Sequence, residues 1–276
     1  MRILPEPSND PDNALVSLRK TVARIEGYQP DLGTGESAER VFTQKARPLA
    51  FGLPSLDRAL QGGLAPAALH EVTPAAMTDL GSAIGFTLAL AARALKPRKS
   101  VLWIATDFAT LEAGGTYGLG CDLAGLSARH LIVVKVARAA DALWAMEEAL
   151  KCRALSCVVA ELTGDAPMAD LTATRRLTLA AREGGAFGFL LRHRGSRLTS
   201  SAETRWRVSA ARGEPDAFGG LGRAAFSLSL HKNRRGPTGH WTIAWDHHER
   251  AFEAHSLGVA AAALDRQDRA PLQSAG

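Results

Sequence analysis

The sequence predicts an α/β protein built on a mostly parallel β-sheet flanked by helices. Two observations carry this. Short apolar runs alternate with helix-period segments from residue 68 to 191, and parallel strands need such crossover helices. After residue 195 the style changes to alternating strands joined by a turn, which predicts a C-terminal antiparallel hairpin. The length of 276 residues fits one large domain with appendages.

Residues 1–12 are rich in Pro, Asp and Asn and offer no core. Asn13–Gly27 places Leu15, Leu18, Val22 and Ile25 on one helix face, closed by Gly27. That stripe is a candidate protein-binding helix. Tyr28–Lys45 reads as a linker. Residues 1–45 thus form an N-terminal helix and linker, 46–250 the core domain and 251–276 a C-terminal tail with one short helix. Within the core, strands are expected at 68–73, 100–106, 131–136, 156–162 and 186–191. Helices are expected at 56–60, 78–95, 141–151 and 171–183, with an ion pair between Glu147 and Lys151. The 195–222 stretch reads as irregular, and 225–232 and 241–246 as the hairpin strands.

Composition limits the function. Hydrophobic residues are 46% and charged residues 22%, which fits a globular chain and excludes a coiled coil or a collagen-like repeat. The longest apolar run, Leu80–Ala92, is shorter than the 20 or so residues that span a bilayer, and the N-terminus lacks a secretory pattern. The expectation is a cytoplasmic protein with no membrane contact. Cys121, Cys152 and Cys157 match neither a disulfide framework nor a zinc pattern, and no metal site is expected.

Charge is unevenly placed. The net is +5, yet residues 192–235 carry ten basic groups against three acids. Arginine forks onto phosphate or carboxylate. Arg192, Arg194, Arg197, Arg205 and Arg207, with Lys232, Arg234 and Arg235, are therefore candidate contacts for DNA or for an acidic partner.

A strand running through a glycine-containing loop into a long helix is the layout of a phosphate-binding loop. Against G-x-x-x-x-G-K-[ST], Leu80 takes the first glycine position, with Gly81 as a shifted substitute. Gly85 takes the second glycine, Phe86 the lysine and Thr87 the hydroxyl. The ammonium that neutralises the outer phosphates is missing. Asp107 and Glu161 stand at strand ends where a water-orienting and a magnesium-holding carboxylate belong. These six form a vestigial nucleotide site, with no catalytic residue assigned. No cofactor is expected, and ATP–Mg²⁺ is the one to test.

FGLPSLDRALQGGLAPAALHEV (51–72) and SVLWIATDFATLEAGGTYGLGCDLAGL (100–126) resemble the opening and second core strand of the RecA fold family. RAADALWAMEEALKC (138–152), ADLTATRRLTLAARE (169–183), FLLR (189–192), ETRWRVSAA (203–211) and LSLHKNRRGPTGHWTIAWD (228–246) resemble the ImuA family within it. The resemblance implies a RecA-like core and a role in SOS-induced mutagenesis. Members of that family accompany ImuB, a catalytically inactive Y-family polymerase relative, and through it an error-prone replicative-type polymerase. They act in translesion synthesis, on the nucleoid after damage.

Carried over, the family's phosphate-loop lysine falls on Phe86, its catalytic glutamate near Asp107, its Walker B aspartate near Glu161 and its nucleotide-sensing glutamine near Arg192. The resemblance also places a RecA-type oligomerisation segment at helix 13–27, so RecA or a second copy is an implied partner. The reading is an accessory adaptor without ATPase activity. The alternatives are an ATP-dependent DNA-binding motor, with Arg58 or a neighbouring subunit's arginine replacing the lysine, and a SulA-like division inhibitor.

Overall fold

The computed structural model describes residues 47–255, except 165, 195–197, 216–219 and 221. The chain divides into two units, Met1–Lys45 and Ala46–Gly276, and every described residue belongs to the second. The stripe Leu15, Leu18, Val22 and Ile25 lies outside the described residues, as do Arg197 and the tail beyond residue 255.

One nine-stranded sheet organises this unit. Its strands are β1 (Leu69–Pro74), β2 (Ser100–Thr106), β3 (Leu131–Val136), β4 (Leu155–Leu162), β5 (Phe187–Arg192), β6 (Thr204–Ala210), β7 (Ala224–Asn233), β8 (Gly239–Asp246) and β9 (Ala251–Ala254). The spatial order is β3-β2-β4-β5-β1-β6-β7-β8-β9. Pairing is parallel from β3 to β6 and antiparallel from β6 to β9. The helices are α1 (Pro54–Ala59), α2 (Leu80–Ala94), α3 (Asp107–Ala113), α4 (Gly118–Leu123), α5 (Ala139–Leu150) and α6 (Leu171–Gly184). No described helix is long and apolar enough to cross a membrane.

The central strands β1, β4 and β5 are buried throughout, because helices cover both faces. On one face α2 packs over Val72, Trp103, Val159, Phe189 and Trp206. On the other, α5 and α6 cover Leu102, Ile104, Val158 and Leu190. α6 starts at Asp170, whose carboxylate accepts from the Ala173 amide at 2.8 Å, and stops at the left-handed Gly185. The α2-side core is rich in aromatics. Phe86 lies 6.4 Å from Phe51, 6.0 Å from Trp206, and 5.9 Å from both Phe226 and Phe252, ring centre to ring centre.

Three sequence expectations are corrected. Residues 204–210, read as irregular, form β6, the strand joining the parallel half of the sheet to the hairpin. The core does not end at residue 250, because β9 pairs with β8 and buries Phe252. Lys151 pairs with Glu148 at 2.7 Å, while Glu147 meets Arg176 of α6 at 2.7 Å.

Candidate functional site

In a phosphate-binding loop, backbone amides at a strand-to-helix turn stay free to hold an anion. Here the turn closes on itself. The Ala75 amide donates to the Val208 carbonyl at 2.8 Å. The Asp79 carboxylate accepts from the Ala76 amide at 3.1 Å through one oxygen, and from the Ala210 amide at 2.9 Å through the other. A negative charge therefore already sits at the N-terminus of α2, where it is favoured by the helix dipole and repels a phosphate.

Gly81 and Gly85 lie inside α2 rather than in a loop. Gly85 packs toward the Phe226 ring, with room for a Cβ at an ordinary contact distance of 3.5 Å. Phe86 is fully buried in the aromatic core. Thr87 donates its hydroxyl to the Ala83 carbonyl at 2.8 Å within the helix. The register that puts Phe86 at the lysine position thus points that side chain down into the sheet.

The two carboxylates part company. Asp107 opens α3 and faces solvent, with Thr106 capping the helix. Glu161 is buried and fully engaged. It accepts from the Trp103 indole at 3.0 Å and meets His193 Nε2 at 2.7 Å. The other ring nitrogen, Nδ1, meets Glu112 of α3 at 2.8 Å. Burial alone would lower the His193 pKa, but hydrogen bonds to Glu161 and Glu112 outweigh it and hold it above its ordinary value. The ring bridges Glu161 and Glu112, a clamp between α3 and the sheet. Each Glu161 oxygen thus already has a protein partner.

No family model matches the chain. It is 36% identical over 210 residues to Protein ImuA of Caulobacter vibrioides strain NA1000, a match covering 71% of this chain and 82% of that protein. The ImuA of strain ATCC 19089 matches equally. The chain belongs to the ImuA family. Its fold is RecA-like, since it superposes on the RadB recombinase with a TM-score of 0.50 at 16% identity, over 75% of this chain and all of that one.

The basic residues of this ImuA-family chain do not gather on one surface. Arg192 is buried. Its Nη2 donates to the Ala169 carbonyl at 2.7 Å and lies 3.5 Å from Glu71, which is corrected here from a partner contact to an interior group. Burial pushes its pKa down, Glu71 pulls it up, and Arg205 opposes that pull. Arg205 is half-buried, its Nε 2.8 Å from the other Glu71 oxygen. Lys232 donates to the Ser200 carbonyl. Arg235 donates to the Leu60 and Gly63 carbonyls at 2.6 and 2.5 Å. Among the eight candidates, only Arg194, Arg207 and Arg234 are described and exposed.

Sequence reading of this ImuA-family chain missed Glu71, Trp103, Glu112 and His193 as interacting groups. The visible signal was a charge inside an apolar strand, at HEV and at the end of SCVVAEL. It missed a second surface as well. β3 is the edge of the sheet, with Ile132 and Val133 exposed. The flanking helices expose Phe108, Leu111 (83%), Tyr117, Leu119 and Leu123, and α5 exposes Trp144 (64%). Of these residues only Ile132 and Val133 lie on β3 itself, and single exposed apolar residues are ordinary on a protein surface.

Proposed function

We propose that this protein is a RecA-like adaptor of SOS-induced, error-prone translesion synthesis that works without binding or hydrolysing ATP. One observation carries the reading: the place of the nucleotide is filled by the protein's own groups. Phe86 is core, the Ala75 and Ala76 amides of the turn donate to Val208 and Asp79, and Glu161 is held by Trp103 and His193. Membership of the ImuA family supports the SOS mutagenesis setting.

The retained core then serves as a scaffold. The apolar edge at β3 is a surface for a protein partner, for which an ImuB-type inactive polymerase relative and RecA are the candidates, with an error-prone replicative-type polymerase joined through the former. An extended chain added to an open edge gains main-chain hydrogen bonds as well as apolar burial. The Leu15–Ile25 stripe remains a candidate contact of the N-terminal unit, and direct DNA contact is secondary to protein contact.

Calorimetric titration with ATP–Mg²⁺, with and without single-stranded DNA, tests the reading. The expected result is no binding heat up to millimolar nucleotide. Saturable binding that disappears on Thr87→Ala or Glu161→Gln would replace the adaptor by a nucleotide-driven protein.

A further inference from the structure

The sheet is covered unevenly on the α6 side. α6 stands on β1 and β5, and no described helix covers β6, β7 and β8 beyond it. Strand alternation turns Trp206, Val208, Leu228, Leu230 and Ile243 into the core on the α2 side. Among the described residues, the opposite face is open along its middle rows and closes at Ala225 and Ala244, which are buried. Its register can be read row by row. Arg207, Ser229 and His240 line up across the three strands, and Ser209, Ser227 and Thr242 form the next row. His231 lies beside them, with Ser229 Oγ 3.2 Å from its ring.

The side wall of this ledge is basic too. The Thr178 hydroxyl of α6 meets Ser201 Oγ at 2.6 Å, so that flank of the helix looks toward β6. At 100° per residue, Arg175 and Arg182 share the flank of Thr178. Arg176 and Glu183 take the opposite flank, where Arg176 pairs with Glu147 of α5. Both Arg175 and Arg182 are exposed. Among the described residues, no carboxylate pairs with Arg175, Arg182 or Arg207, and the one acid on this face of β6–β8, Asp246 at the end of β8, is paired with Arg223 at 2.7 Å. Glu253 on β9, at the far rim, is held by Arg223.

We infer that the ledge formed by the open face of β6–β8 and the Arg175–Arg182 flank of α6 binds an acidic peptide segment of a protein partner. Arginine forks match carboxylates, and the serine and threonine hydroxyls supply neutral donors and acceptors between them. Size favours a peptide. Three strands span about 10 Å, the width of one extended chain or one helix and half that of duplex DNA. Chemistry favours it over a single nucleic acid strand, because the face carries no Phe, Tyr or Trp, only the smaller imidazoles of His231 and His240, and base stacking is a main source of such binding. The local field is consistent. Burial, then Arg207, His240 and Arg205, all lower the His231 pKa, so the empty ledge already repels a proton there.

This deepens the adaptor reading and rests on it only for the occupant being a protein. Nucleotide binding in the calorimeter would sink that reading and leave the ledge intact. The test uses the full chain and two labelled probes of equal charge, a short alternating Glu–Ser peptide and a thymidine oligonucleotide, at the same salt. The expected result is saturable peptide binding tighter than oligonucleotide binding, with the His231 and His240 imidazole signals shifting in the NMR spectrum. Arg182→Glu with Arg207→Glu lowers peptide affinity at least about tenfold, or 1.4 kcal/mol.

The same reversal at the exposed Arg129 and Arg153 leaves affinity unchanged. The milder Arg182→Gln with Arg207→Gln gives a smaller loss in the same direction and serves if the reversed pair folds poorly. Tighter oligonucleotide binding, an equal loss from the control reversal, or no peptide binding at all would each overturn the proposal.

Discussion

His70 and His193 titrate in opposite senses, and each leaves a separate mark on stability. His70 is fully buried, with Nδ1 2.8 Å from the Thr204 hydroxyl and Nε2 2.9 Å from the Ala65 carbonyl. Burial lowers its pKa to about 4, against a small rise from the Ala65 bond. The unfolded chain takes up a proton near pH 6.5 while the folded chain refuses it until about pH 4. Stability present above pH 6.5 is therefore lost as pH falls through that window, by about 3 kcal/mol. His193 behaves in reverse. Its raised pKa makes its contribution complete below pH 6.5, and that contribution is lost as pH rises through the folded value. Thermal melts across pH should show both slopes. His70→Gln should flatten the acid one and leave the basic one, and an unaltered acid slope would rule out His70 as its source. Neither role was legible in sequence. A lone histidine gives no sign of whether its partners are carbonyls or carboxylates, since all but the nearby Ala65 carbonyl come from residues far along the chain.

β9 is the smallest element with a large effect. Phe252 packs 4.7 Å from Trp245, 5.1 Å from Phe51 and 5.9 Å from Phe86, so four residues at the sheet's end close the aromatic core. Ending the chain at Arg250, or making Phe252→Ala, should cost about 3–5 kcal/mol, the usual range for a buried phenylalanine. Urea unfolding measures it, and an unshifted midpoint would show that β9 does not belong to the folding unit. Elements whose own pattern is strong were legible: β2 and β3 occupy the apolar runs 100–106 and 131–136 themselves. β6 and β9 were not. TRWRVSA alternates, but its outward positions hold arginine and serine in a stretch crowded with glycine and more arginine. AFEA is too short for periodicity to speak. Strand pairing decided both, and pairing is not local.

At the scale of the whole molecule, the two ends of the sheet differ in character. One end is apolar and open at β3, and the other presents the basic ledge. Charges placed on the first, as in Leu111→Asp with Val133→Asp, should cut capture of an ImuB-type or RecA partner at least about tenfold, or 1.4 kcal/mol. Melting should stay within about 0.5 kcal/mol of the parent, because the groups replaced already face water. Capture unchanged in a pull-down would move the partner elsewhere. The parallel layout, the hairpin and the missing lysine were all legible in sequence. The scatter of the basic cluster was not, because neighbours in sequence alternate between the two faces of a sheet and the ends of loops. Arg192 and Arg194, two residues apart, end one buried and one exposed.

The filled turn before α2 also bears on what this chain can become. Phe86→Lys alone would place an ammonium among four aromatic rings with no anion to meet it, and losing the Asp79 carboxylate would trade its bonds to the exposed Ala76 and Ala210 amides for bonds to water. Freeing Glu161 means undoing the grip of His193 and Trp103 on it. The first and the last of these steps loosen the protein before any phosphate could reward them. On the adaptor reading, the residue hardest to exchange for a phosphate-binding lysine is therefore Phe86, because the packing that would have to yield is the packing that keeps this side of the sheet covered.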